Sequence, residues 1–94
     1  MHSKMIQFKY KRKEIYIDGQ KLIPKVPGLS EWGDESGGAR LTALNLLGSY
    51  VHAPAAFKAH VKFTEEIISQ IPKRDYELDE SIVAKWIVKN CRDK

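Results

Sequence analysis

Ile6-Gln7-Phe8-Lys9-Tyr10-Lys11-Arg12-Lys13-Glu14-Ile15-Tyr16-Ile17-Asp18-Gly19-Gln20-Lys21-Leu22 is the stretch that decides the fold. Ile6, Phe8 and Tyr10 alternate with Gln7, Lys9 and Lys11, a period of two that gives a strand one apolar face. Glu14 to Ile17 makes a second run. Asp18-Gly19 after it is a two-residue hairpin turn, because both residues tolerate positive φ. Around that turn Ile17 faces Gln20, Tyr16 faces Lys21 and Ile15 faces Leu22. Setting Arg12-Lys13 at the tip of the preceding hairpin places Tyr10 opposite Ile15 and Phe8 opposite Ile17. The pattern predicts a three-stranded antiparallel meander with Ile6, Phe8, Tyr10, Ile15, Ile17 and Leu22 on one side. Gln7, Lys9, Lys11, Glu14, Tyr16 and Lys21 line the other. A slip of one residue would mix the two sets.

Downstream, Pro24, Pro27, Gly28, Gly33, Gly37 and Gly38 mark a loop. From Ala39 to about Val51 the chain is apolar nearly all round, which predicts a buried helix with Gly48 either packing closely or ending it early. Pro54 suits the first turn of a second helix. Phe57, Val61, Thr64, Ile68 and Ile71, widened by Phe63 and Ile67, form its predicted inner stripe, with Lys58, Lys62, Glu65, Glu66 and Ser69 opposite and Pro72 as its stop. Tyr76-Glu77-Leu78 is extended and can add a short edge strand. Asp79 then caps a last helix that turns Ile82, Val83, Trp86, Ile87 and Cys91 inward. The predicted class is α+β, the meander packed by three helices.

The 94 residues suit one domain, residues 1–94, with residues 1–5 expected to be disordered. Apolar residues make up 43% and charged ones 30%, a globular mixture. No apolar run approaches the ~18 residues of a membrane span, and the start lacks an apolar signal segment, so a cytoplasmic protein without membrane contact is expected. The single cysteine, Cys91, excludes an internal disulfide and a cysteine zinc cage. The net charge of +4 is uneven. Residues 1–30 hold seven basic side chains against two acidic ones, so the positive field belongs to the predicted meander.

Glu31-Trp32-Gly33-Asp34-Glu35-Ser36-Gly37-Gly38-Ala39-Arg40 is the most distinctive loop. Its glycine spacing is similar to a phosphate-binding loop, but Ala39-Arg40 replaces the Lys-[Ser/Thr] pair, and Asp34 and Glu35 repel phosphate. The simpler reading is a capping turn, with Ser36 or Asp34 as the cap and Trp32 packed over the helix start.

Trp32-Gly33, Gly37-Gly38 and Ala43-Leu44-Asn45-Leu46-Leu47 together carry a resemblance that also takes in Ile17-Asp18-Gly19, Phe63 to Pro72, and Tyr76, Leu78, Ile82 or Val83, and Trp86. The pattern resembles a family of small proteins of bacteria, plasmids and phages that is catalogued only as a domain of unknown function. The resemblance implies an accessory role in a mobile element and no particular activity.

Three function classes remain. For catalysis or a metal, His2, His52 and His60 never stand at i, i+3 or i+4, and the adjacent Glu65 and Glu66 diverge from a helix. No catalytic residue, metal or cofactor is therefore expected. For nucleic acid, Lys9, Lys11, Arg12, Lys13 and Lys21 around Tyr16 supply phosphate contacts and a stacking ring. Such lysines also keep an exposed strand from aggregating. The leading expectation is a non-enzymatic protein-interaction module, an accessory or inhibitor-type protein of a phage or other mobile element. It would use those same six residues, with Trp32, Ser36 and Arg40 as a secondary surface if the indole is exposed. Nucleic-acid binding is the alternative, and a monomer or weak homodimer is expected.

Overall fold

Asp18 (φ 52°) and Gly19 (φ 81°) both adopt the left-handed region. Their turn joins β2 (Glu14–Ile17) to β3 (Gln20–Lys21) with Ile17 opposite Gln20 and Tyr16 opposite Lys21, as the sequence predicts. The computed structural model describes residues 4–28 and 30–91. The first hairpin departs from expectation. In β1 (Met5–Lys9), Phe8 faces Ile15 and Ile6 faces Ile17, two residues away from the predicted pairing. The cause is the tip, where Tyr10–Lys13 forms a four-residue loop closed by the Lys13 N–H on the Tyr10 carbonyl (3.3 Å), with Lys13 at φ 55°. An even shift leaves each side chain on its own face. Ile6, Phe8 and Ile15 are therefore buried all the same, with Tyr10, Ile17 and Leu22 packed against them.

The sheet has four strands rather than three. β4 (Tyr76–Asp79) pairs antiparallel with the free side of β1, Met5 opposite Asp79 and Phe8 opposite Tyr76, giving the order β3-β2-β1-β4. The extra edge strand thus runs one residue beyond the predicted 76–78. Residues 1–3 lie outside the described residues. Met5 belongs to β1, so the sheet begins inside the stretch expected to be disordered.

α1 (Gly37–Leu47) starts two residues earlier than its apolar pattern and ends at Leu47, four residues short of Val51, with Gly48 as its C-cap. The Ser36 hydroxyl caps it by accepting from the Ala39 N–H. α2 (Ala53–Glu66) is capped by the His52 ring, and after it the chain tightens into a short 3₁₀ turn at Ile68–Gln70. The predicted single helix to Pro72 is therefore broken. Its inner stripe is also corrected, because Phe57 is 66% exposed and Val61 is exposed. The buried face is Ala56, Phe63 and Thr64, with Ala59 packed against the core, which keeps helical spacing using small residues. In α3 (Glu80–Asn90), capped by Asp79 through the Ser81 N–H (2.8 Å), Val83 and Trp86 are buried but Ile82 faces water, against expectation.

One cluster joins Ile6, Phe8 and Ile15 of the sheet to Ala43, Leu46 and Leu47 of α1, Phe63 of α2 and Trp86 of α3. Trp32 lies wholly buried within it, edge-on to Phe8 (5.2 Å) and Tyr10 (5.7 Å), and its indole N–H donates to the Pro72 carbonyl (2.9 Å). Beside it the Gly33 N–H donates to the Ile68 carbonyl (3.0 Å) at φ 87°, where a Cβ would lie 3.0 Å from the Ile71 oxygen. Buried Asn45 holds the proline loop. Its Oδ1 accepts from the Lys25 and Val26 N–H groups (3.1 and 2.9 Å), and its Nδ2 donates to the Val26 carbonyl (3.0 Å).

The two phenylalanines of α2 separate the observed face from the predicted one. Phe63→Ala is expected to cost about 3–5 kcal/mol through the cavity it leaves. Phe57→Ala should stay within about 0.5 kcal/mol of the parent. Urea unfolding of both variants measures the contrast.

Candidate partner-binding face

Pairing register decides which side chains share the outer face of the sheet. Lys9 stands across from Glu14, Tyr16 lies between Gln7 and Lys21, and Gln7 is flanked on its other side by Glu77. The Gln7 amide donates to Glu77 (3.0 Å). The Tyr16 hydroxyl donates to Glu14 Oε1 (3.0 Å), and Lys21 reaches Glu14 Oε2 at 2.9 Å. These bonds fix the ring of Tyr16 over the sheet. The Lys21 ammonium, followed by the Tyr16 hydroxyl, holds the Glu14 carboxyl below the usual carboxylate range, and Glu14 raises Lys21 in return.

At the hairpin end this face sinks into a depression of about 570 Å³ lined by Gln7, Lys9, Lys11, Arg12, Tyr16, Gly19 and Asp75. Four of the six predicted surface residues, Lys9, Lys11, Arg12 and Tyr16, therefore converge. Among the described residues, Lys9, Lys11 and Arg12 form no ion pair within the protein. Lys21 sits beside them but is tied to Glu14. Lys13 does not belong to this face. It crosses the hairpin tip to lie 3.6 Å above the Tyr10 ring and 3.1 Å from Glu31, closing the edge of the Trp32 cluster. Its positive φ aims it there, which the alternating pattern does not reveal. Asp75 was not singled out from the sequence. It enters the wall because its Oδ1 accepts from the Tyr10 N–H (2.8 Å), a contact across 65 positions made by the β1–β4 pairing.

The secondary surface divides. Buried Trp32 offers nothing to a partner, Ser36 is occupied as the cap of α1, and Arg40 is exposed on that helix. Asp34 stabilises the turn, accepting from the Ser36 hydroxyl (2.7 Å), the Ser36 N–H (3.0 Å) and Lys73 (2.9 Å). The Ser36 hydroxyl and N–H, followed by Lys73, hold the Asp34 carboxyl at about 2 against an ordinary 3.8. Asp34 thus braces the residue that caps α1. Burial, together with the Glu80 carboxylate that accepts its hydroxyl (2.8 Å), raises the Tyr50 phenol above its usual range. Among the described residues, no three His, Cys, Asp or Glu side chains cluster as metal ligands, and no helix is long and apolar enough to cross a membrane.

A family model described as a family of unknown function, DUF6166, matches residues 11–89, from the hairpin tip to near the end of α3. The chain belongs to the DUF6166 family. No curated protein and no solved structure matches it significantly. In this DUF6166 chain the residues behind the resemblance hold the fold. Trp32, Gly33 and Asn45 each anchor a loop, and Asp18-Gly19 turns the second hairpin.

The depressed pKa of Asp34 favours the folded state above the ordinary carboxylate range, and this contribution fades as pH falls toward about 2. The side chain is 40% exposed, so solvent screening limits the effect to under about 1 kcal/mol. Asp34→Asn is therefore expected to lower the urea midpoint slightly near neutral pH and to match the parent near pH 2.

Proposed function

We propose that this chain is a non-enzymatic protein-interaction module that engages an acidic partner surface through the outer face of its sheet. The observation that carries this reading is the convergence of Lys9, Lys11 and Arg12 around Tyr16 in one open depression. Tyr and Arg recur at binding hot spots, and a ring pre-positioned by its own hydrogen bond loses little freedom on binding. A non-catalytic role is supported by what the displaced titrations do. Glu14 and Asp34 owe their shifts to neighbours in a strand pair and a capping turn, and Tyr50 owes its shift first to burial and then to Glu80. An accessory or inhibitor-type role in a phage or other mobile element, in the cytoplasm, rests on the resemblance in the Trp32–Gly38 and Ala43–Leu47 stretches. A monomeric or weakly dimeric state is part of the same reading.

Nucleic acid is the alternative occupant. Glu14 and Glu77 share the sheet face and Asp75 stands in the wall of the depression, so a phosphate backbone would run against carboxylates there. Those same groups suit the mixed rim of a protein interface. Affinity capture from the host with the parent and with Tyr16→Ala and Arg12→Glu variants tests the protein reading. One partner should be retained by the parent and lost by both variants while their circular dichroism is unchanged. Retention by both overturns it. Titration with random duplex and single strands separates the alternative. Three phosphate contacts would weaken binding about 40-fold between 50 and 200 mM salt, and no such salt-dependent complex is expected.

A further inference from the structure

α3 reaches α2 chiefly through Trp86. Its ring meets Phe63 edge-on at 4.8 Å and its indole N–H donates to Glu66 Oε1 (2.8 Å). Towards the start of α2 the two helices leave a groove of about 710 Å³, larger than the depression on the sheet. Ala55 and Ala59 give it small, apolar side chains, and Trp86 and Asn90 line it from α3. Among the described residues, the formally charged side chains in its lining are Lys58 and Lys62.

Lys13, Lys21 and Lys73 are matched to Glu31, Glu14 and Asp34, whereas Lys58 and Lys62 have no ion pair among the described residues. They stand one turn apart on α2, a like-charge spacing that disfavours the helix. Carboxylates entering the groove would relieve that repulsion. The small alanines also leave room for a third helix to lie against α2, the arrangement by which amphipathic helices fill apolar grooves.

We propose that the α2–α3 groove binds an acidic amphipathic helix of a partner protein, its apolar stripe on Ala55, Ala59 and Trp86 and its carboxylates on Lys58 and Lys62. This site is separate from the sheet face and does not depend on it.

Selection of helical peptides from a display library of roughly four-turn amphipathic sequences tests the proposal on the full chain. Enriched peptides should carry Glu or Asp beside an i, i+4 apolar stripe. A labelled member should bind the parent and lose about tenfold or more affinity with Lys58→Glu plus Lys62→Glu. Ala55→Gln, which narrows the groove with a neutral side chain at a position outside the core cluster, should weaken it similarly, and Arg12→Glu should leave it unchanged. Unchanged circular dichroism of all the variants ties these losses to the groove. Three results would overturn the proposal: enrichment without acidic preference, binding indifferent to both groove variants, or gel filtration showing that a second copy of the chain occupies the groove.

Discussion

The hydrogen bond from the Trp32 indole to the Pro72 carbonyl joins two segments 40 positions apart, and the layered arrangement depends on it. The indole fills the space between the β1 aromatics and the chain leaving the 3₁₀ turn, with Phe8 and Tyr10 meeting it edge-on. Next door, the Gly33 N–H takes the Ile68 carbonyl. Together these contacts bring the segment after α2 to the sheet, where Asp75 can cap β1 and Tyr76–Asp79 can pair along it. A buried indole without a partner would carry the cost of an unsatisfied donor, so the ring and its carbonyl have to be placed as a unit.

Charge is sorted by the same geometry. The first thirty residues look uniformly basic in sequence, yet the folded chain uses them for different ends. Lys13 lies over Tyr10 against Glu31, and Lys21 is bound to Glu14. Lys9, Lys11 and Arg12 are left to the depression, and Lys58 and Lys62 are left to the groove. A lysine already engaged by a carboxylate has less to offer an incoming partner. Net charge therefore says less about binding than the pattern of matched and unmatched cations.

Much of the fold was legible because period-two patterning and turn chemistry act locally. Asp18-Gly19 set the second hairpin, and alternation put Ile6, Phe8 and Ile15 inside even though the first hairpin is shifted by two residues. The reading of α2 failed for an equally physical reason. Phe57 and Val61 carry a strong apolar signal at helical spacing, but the helix turns Ala56 and Ala59 to the core because alanines let it approach closely. Of the surface residues, Lys9, Lys11 and Tyr16 were placed by strand alternation and Arg12 by the hairpin tip. Lys13 was not, since its direction depends on a left-handed backbone at the tip.

By itself the sequence determined the α+β class, the second hairpin, the cap at Asp79, and membership of an uncharacterised family. Each of these rests on residues close together in the chain or on a pattern along it. Tertiary structure alone decided that β4 joins the free side of β1, that Trp32 is core rather than surface, and that Asp75 walls the basic depression. It also decided that Trp86 of α3 meets Phe63 of α2 and that a lysine-lined groove lies beside that contact. Those outcomes come from contacts 40 or more positions apart or from how one helix seats on another, and local preference cannot specify either.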